Sequence, residues 1–506
     1  MIALKGQEIL VLGLGMSGLA MARWCARCGA GVTVADNRPS PPQLQALRLE
    51  VPEARFVCSV FDAGLLIGTT FTSVFKSPGL SPAQIAMVKE AAEKNAVKLE
   101  GEVTLFSQAL VDLKTLQAYA PTVLAVTGTN GKTTVTALVG QLVARANKSV
   151  AVAGNIGPSL LDTLSDRLDA GTLPEVWVIE LSSFQLEEAR GFEPTAATVL
   201  NITQDHLDWH GSMAAYVAAK AKVFGSRTKM LLNRDDPLVM AMKPVVASQG
   251  RVKNHQVRDC ETFGSDLPKH QGDFGLEWDN GILWLVRAME VDGTRRKRGE
   301  ETEDLFIQRL IPADALRIRG RHNALNALAA LSLALSAGCS LAPILYGLRQ
   351  YQGEPHRVES VTIVNDVEYF DDSKGTNVGA TVAALAGIGE DRRVVVILGG
   401  DGKGQDFSPL INPVSRFARA VVLIGRDAPL IRAALASAGV PLCDASTMPM
   451  AVALASAQAR SGDAVLMSPA CASYDMFDNY PHRAAVFREA VAAIADAVND
   501  TTSVSS

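Results

Sequence analysis

The 506-residue sequence predicts an α/β protein made of three domains in series. Three observations lead there. The chain is too long for one ordinary core, since a domain takes roughly 150 residues. Short β-branched runs alternate with helical patterns, the signature of parallel sheets. Those runs end at glycine, at Ser-Pro or in polar loops, where a strand gives way to a turn.

The first unit, residues 1–110, opens with the buried strand "EILVLGLG", the helix "SGLAMARWCARCG" and the strand "GVTVAD". "SVFKSPG" follows as a strand running into a Pro-Gly turn, and "AQIAMVKEAAEKN" as an amphipathic helix. In the second unit, residues 111–353, the strands are "TVLAVTG", "SVAVAG", "EVWVIEL" and "AATVLNIT". The pattern degrades over about 250–310, ending in "DGTRRKRGEETED". This run reads as a solvated loop, because acids follow the bases at once. The helix "HNALNALAALSLALSAG" closes the unit. The third unit, 354–506, starts near "GEPHRVE" and carries the strands "RRVVVILGG", "RAVVLIG" and "DAVLMSP". Its polar tail, "NDTTSVSS", is expected to be disordered.

Composition is that of a soluble globular protein, 48% hydrophobic and 20% charged. A net charge of −5 gives no general attraction to nucleic acid or to an anionic membrane. Anionic ligands must therefore be held by local sites. Seven cysteines without disulfide-like spacing read as reduced thiols in a cytoplasm. Cys25 and Cys28 lack the second pair a zinc site needs, and read as helix packing. The apolar N-terminus is cut by Gly13, Gly15 and Gly18, so it reads as strand, turn and helix rather than a signal peptide. No run approaches the roughly 18 apolar residues of a membrane span.

Two phosphate loops stand out. "GLGMSG", residues 13–18, follows a strand and opens a helix, and Asp36 ends the next strand, which matches the dinucleotide fingerprint. Such a loop holds a diphosphate on backbone N–H groups and a helix N-terminus; NAD and a UDP-sugar would both satisfy it. "VTGTNGKTTV" has the Gly-Lys-Thr of a P-loop, but Val126 stands where the first glycine is expected. Gly128 and Gly131 still allow close backbone approach, Lys132 can neutralise phosphate charge, and Thr133 or Thr134 can ligate Mg²⁺. Glu180 ends a parallel strand, where ligands gather, and His206 follows the next one. Lys374, Lys403, Ser473 and Arg357 lie in strand-to-loop positions of the third unit; spacing alone does not bring them together. An oxidoreductase explains only the first loop, and a nucleotide switch leaves the third unit's lysine loops without a purpose.

Taken together, "GTNGKTT", "GNIG", "ELSSFQLE", "DDSKGTN" and "SPACASYDMF" resemble the Mur ligases, the ATP-dependent amide-forming enzymes of peptidoglycan assembly, in motif order over nearly the whole chain. The resemblance implies a Rossmann-like N-terminal domain for a UDP-substrate, a P-loop-type central ATPase domain with a parallel sheet, and a Rossmann-like C-terminal domain for an amino acid. It is nearest to the branch that adds D-glutamate to UDP-N-acetylmuramoyl-L-alanine, through an acyl phosphate and a tetrahedral intermediate.

Carried over by motif, the ATP site is Gly128, Thr129, Asn130, Gly131, Lys132, Thr133, Thr134, His322, Asn323, Asn326, Arg357 and Asp372. The UDP-substrate site is Gly15, Met16, Ser17, Gly18, Asp36, Asn37, Arg38 and Gly79, with Asn155, Ser182 and Gln185 toward the reacting end. D-glutamate would meet Lys374, Thr376, Lys403, Ser473, Tyr474 and Tyr480; the two tyrosines stand where relatives often have Leu and Phe, which makes for a more polar pocket. Catalysis would rest on Lys132, Glu180, His206 and Lys220. Two Mg²⁺ ions are implied, held by Thr133, Glu180, His206 and Lys220, the last as N6-carboxylysine. The resemblance further implies a cytoplasmic enzyme, monomeric, with no membrane or nucleic-acid partner.

Overall fold

The computed structural model describes residues 4–244, 258–290 and 305–504, and for 499–504 the backbone path alone. Three sheets follow one another along the chain. The first contains β1 (Glu8–Leu12), β2 (Gly31–Asp36), β3 (Arg55–Cys58), β4 (Ser73–Lys76) and β5 (Lys98–Glu100), in the order β3-β2-β1-β4-β5, all parallel. Loops after β1, β2 and β4 therefore meet at one edge. The helix Met16–Arg27 starts at once after β1. A Cβ on Gly18 would lie 1.9 Å from the Gly13 carbonyl oxygen, so only glycine lets strand and helix approach this closely.

The second sheet contains β6 (Thr122–Thr127), β7 (Val150–Gly154), β8 (Val176–Glu180), β9 (Ala196–Val199), β10 (Lys229–Asn233), β11 (Cys260–Phe263), β12 (Phe274–Asp279), β13 (Ile282–Glu290) and β14 (Leu305–Pro312). Its order is β14-β13-β12-β11-β10-β9-β6-β8-β7. It is parallel from β7 to β12, and antiparallel across β12, β13 and β14. The stretch expected to lose its pattern thus extends the sheet. The charge run at 294–304 lies outside the described residues. Two helices, Arg321–Ser336 and Leu341–Gln350, close this part of the chain, so the sequence reading missed the second.

β6 sits between β8 and β9, with Val126 beside Glu180 and Thr127 beside Val199. Its side chains alternate between two cores. Leu124 and Val126 pack with the helices Lys132–Arg145 and Arg321–Ser336. Val123 and Ala125 face the other way, into a cluster that also contains Ile9, Val11 and Phe75 of the first sheet. The helix Glu102–Gln117 runs through residue 110 and joins the two sheets: Phe106 meets Trp177 edge-on at 5.1 Å between ring centres.

The third sheet contains β15 (Glu359–Val364), β16 (Val367–Asp371), β17 (Val394–Gly399), β18 (Ala418–Ile424), β19 (Leu442–Asp444) and β20 (Ala464–Met467), in the order β15-β16-β20-β17-β18-β19. Only the β15–β16 pair is antiparallel. Among the described residues, its two cores take none from before Val358. The last helix, Tyr480–Val504, includes most of the tail expected to be disordered. Phe487 and Val491 are buried against the sheet, and once a helix is anchored each further residue costs little to add.

Candidate active site

The phosphate loop joins β6 to the helix Lys132–Arg145. Gly131 caps that helix at φ +83°, and a Cβ on it would stand 2.7 Å from Asn326 Oδ1. The loop is held from β9: the Asn130 N–H donates to Asn201 Oδ1 at 2.8 Å, and Asn201 Nδ2 donates back to the Asn130 carbonyl at 3.0 Å. Thr129 Oγ1 meets the buried Tyr216 hydroxyl at 3.0 Å. Lys132 Nζ donates to the carbonyls of Gly128 (3.0 Å) and Thr129 (2.8 Å). Lys220 Nζ donates to the same Gly128 carbonyl at 2.7 Å. Two lysine nitrogens thus converge on one oxygen. Burial lowers the pKa of both, and for Lys220, with Lys132 adding to it, the fall is well below the usual lysine value.

Glu180 ends β8 at 1% exposure. Asn155 Nδ2 donates to its Oε1 at 2.8 Å, while Oε2 is buried with no hydrogen-bond partner. An orphaned carboxylate oxygen beside a phosphate loop fits a hard divalent cation such as Mg²⁺. Ser182 and Gln185 form a capping box on the helix Ser183–Glu187. His206, at φ +53°, lies 3.5 Å from the Asp205 carboxylate through Nε2. Burial, with Lys403, Lys132 and Lys220 adding to it, holds its pKa below the usual value despite Asp205.

From the third sheet, Arg357 Nη2 donates to Thr133 Oγ1 at 2.8 Å, and Asn377 exchanges amide bonds with Asn130 at 3.0 and 3.2 Å. The loop after β16 brings in Asp372 and Lys374. Burial raises the Asp372 pKa to about 7, against Ser468 and Arg357. Burial, helped by Arg357 and Lys132, lowers that of Lys374 to about 8, against Glu180 and Glu354. Lys374 Nζ stands 5.5 Å from the Tyr480 ring centre. Thr376 follows on the same loop, its N–H bonded to the Lys374 carbonyl. Ser473 is buried, whereas Lys403 and Tyr474 are exposed, Lys403 near enough to His206 to act on its charge.

One cleft, of about 230 Å³, runs between the second and third sheets. Asn130, Gly131, Thr134, His322, Asn323 and Asn326 line one wall and Arg357 and Asp372 the other. Burial lowers the His322 pKa to about 4, which leaves a neutral ring. The lining, with a phosphate loop on one side and an arginine on the other, suits a nucleotide laid along the loop. A separate cleft on the first sheet is lined by Gly15, Met16, Ser17, Asp36, Asn37, Arg38 and Gly79. Gly18 lies beneath it in contact with Gly13. Asp36 accepts from the Leu14 N–H at 2.7 Å and from the Arg38 guanidinium at 2.8 Å. Burial alone would raise its pKa; these bonds bring it to about 2. Asn155, Ser182 and Gln185 belong to the second sheet's edge and not to this cleft.

Sequence reasoning missed Asn201, Asp205, Asn377 and Tyr216. The polar residues just past β9, in "NITQDH", were a usable signal; the Asn130–Asn377 contact, between residues far apart in sequence, had none.

Family models match along the chain: "Mur ligase MurD-like, N-terminal domain" over residues 7–99, "Mur ligase middle domain" over 126–334 and "Mur ligase, glutamate ligase domain" over 356–471. The UDP-N-acetylmuramoylalanine–D-glutamate ligase of Albidiferax ferrireducens is 68% identical, with 98% of each chain covered. That of Polaromonas sp. is 56% identical, covering 97% of this chain and 98% of that protein. Among solved structures, MurF ligase from Thermotoga maritima in complex with ADP aligns at TM-score 0.56 and 14% identity, over 98% of this chain and 96% of that one, a likeness of fold.

Proposed function

The chain belongs to the Mur ligase family, and we propose that it makes its amide bond in the crevice between the second and third sheets. It is an ATP-dependent acid–amino-acid ligase that joins D-glutamate to UDP-N-acetylmuramoyl-L-alanine in peptidoglycan synthesis. The observation that carries the assignment of the site is that Lys132, Glu180 with its orphaned oxygen, Arg357 and Lys374 lie close enough to act on one another's charge, with Arg357 bonded to the phosphate-loop residue Thr133.

A carboxylate is a poor electrophile, so its oxygen must first become a leaving group. The substrate carboxylate attacks the γ-phosphorus of ATP, forming an acyl phosphate and releasing ADP. The D-glutamate amine then attacks the acyl carbon, and phosphate leaves the tetrahedral intermediate as the amine gives up its proton. Lys132 leaves its loop carbonyls to take the γ-phosphate, and Arg357 brings positive charge from the third sheet. Glu180 would hold Mg²⁺ through its free oxygen, with Thr133, His206 and Lys220 around it. The ion, when bound, neutralises phosphate charge. A second ion is part of this reading. Because burial and Lys132 favour a neutral amine at Lys220, that nitrogen can add CO₂ with loss of one proton, giving an N6-carboxylysine that presents a carboxylate to metal. Lys374 and Lys403 would hold the D-glutamate carboxylates, with Thr376, Ser473, Tyr474 and Tyr480 around them. His322, Asn323 and Asn326 would face the adenine, and the first-sheet cleft the UDP.

We assign residues 1–110, 111–353 and 354–506 to the three substrates' domains, and place the enzyme in the cytoplasm as a monomer. No helix among the described residues is long and apolar enough to cross a membrane. The acyl phosphate is tested by hydroxylamine trapping. With ATP, Mg²⁺ and UDP-N-acetylmuramoyl-L-alanine but no D-glutamate, a substrate hydroxamate should accumulate. Turnover with D-glutamate but no hydroxamate at any hydroxylamine concentration would contradict this route.

A further inference from the structure

Where the first and second sheets meet stand two buried donors that lack good acceptors. Lys76 ends β4 at 2% exposure. Its Nζ reaches the carbonyl of Ser77, the next residue, at 3.5 Å, the outer limit of a hydrogen bond, and has no carboxylate within ion-pair distance among the described residues. The ammonium lies 5.2 Å from the centre of the Trp209 ring. A cation over an indole gains from the ring face but keeps N–H donors unused. Trp209 Nε1 is itself buried without a partner. Burial lowers the pKa of the ammonium to about 8, with Lys89 adding to it, against Glu188 and Glu187, which act from beyond contact.

Position gives the pair its meaning. Ser77, Pro78 and Gly79, which follow Lys76, are one wall of the cleft that holds Asp36 and the glycine loop. On the far side, the Trp209 ring centre is 4.7 Å from that of Phe184, and Phe184 is 4.7 Å from His206. Lys76 and Trp209 thus join the loop after β4, which walls the first-sheet cleft, to the Phe184 and His206 side of the second sheet.

We propose that Lys76 and the Trp209 indole N–H form a subsite for the sugar-side phosphate of a nucleoside diphosphate-sugar. The inference rests on the functional reading above and adds to it a contact from the junction of two domains. A phosphate fits better than the neutral oxygens of a sugar, because a buried ammonium is stabilised most by a full negative charge. The glycine loop then serves the nucleoside-side phosphate.

UDP and UMP separate the two phosphates, since only UDP carries the sugar-side one. Calorimetric titration of the whole protein should give tighter binding for UDP. Lys76→Met should weaken UDP about tenfold and leave UMP within about twofold, as loss of one charge-assisted contact would. The KM for UDP-N-acetylmuramoyl-L-alanine should rise alongside, with those for ATP and D-glutamate unchanged. If wild-type protein binds no UDP, the functional reading itself fails. If it prefers UDP and Lys76→Met keeps the full preference, the subsite alone is overturned, and a lowered Tm in that variant would mark Lys76 as a packing residue. Should Lys76→Met fail to fold, Trp209→Phe keeps the ring and removes the N–H: about a threefold loss for UDP with none for UMP supports the subsite, and equal binding of both nucleotides to variant and wild type overturns it.

Discussion

The two joints of this molecule differ in how much apolar core they share. Between the first and second sheets the apolar core is continuous: Ile9, Val11 and Phe75 share a cluster with Val123, Trp177 and Ile179, and Phe106 fills the seam. Arg23 and Arg27, on the first sheet's helix, add ion pairs to Asp162 (3.1 Å) and Asp169 (2.6 Å) at the seam's edge. Between the second and third sheets the contacts noted above are polar: Arg357 to Thr133, and Asn130 with Asn377. The third sheet keeps both of its cores to itself. Apolar seams resist opening because separation exposes surface to water, whereas amide and guanidinium contacts exchange for water at little net cost. The first joint therefore fixes the distance between the first-sheet cleft and the phosphate loop. The second is the joint that, on the proposed reading, opens for ATP and D-glutamate and closes around them.

Substitutions should separate the two joints. Phe106→Ala should cost about 3–5 kcal/mol of stability through a cavity at the first joint, read as a large fall in Tm, while kcat per folded molecule stays near wild type. A comparable loss of kcat in folded protein would mean that the first joint also moves in turnover. Arg357→Ala should do the reverse, lowering kcat by about 10²-fold with Tm nearly unchanged, since it removes charge that matters only when the phosphates are in place. The smallest effect concerns pH. Lys374 is charged below about pH 8, so KM for D-glutamate should be flat below that pH and rise above it as the ammonium loses its proton. Arg357 helps to lower that pKa, so in Arg357→Ala the rise should begin at higher pH. An unmoved profile would show that the two side chains do not share the closed crevice.

What the sequence disclosed follows the same division. "GLGMSG", "GTNGKTT" and Glu180 were legible because a strand end, a glycine turn and a helix start lie within a few residues of one another. The double use of Gly128 by Lys132 and Lys220 was not, since Lys220 arrives from a helix 92 residues later. Residues 258–290 and 305–312 lost their pattern because β13 and β14 expose part of both faces, with Trp278 on β12 and Phe306 on β14 open to solvent, so no clean alternation survives. The polar tail misled for a different reason: composition was read without the anchored helix before it. Nothing local marked Lys76, which as a lone lysine after "SVF" has the look of a solvated strand end until its burial is seen.

The most direct test of the account is phosphate release from ATP in the presence of Mg²⁺ and UDP-N-acetylmuramoyl-L-alanine, with D-glutamate compared against L-glutamate, L-lysine, meso-diaminopimelate and no amino acid. Release that requires both D-glutamate and the UDP-sugar is the predicted result. Release of equal rate with another amino acid, or none under any combination from folded protein that binds ATP, would contradict it.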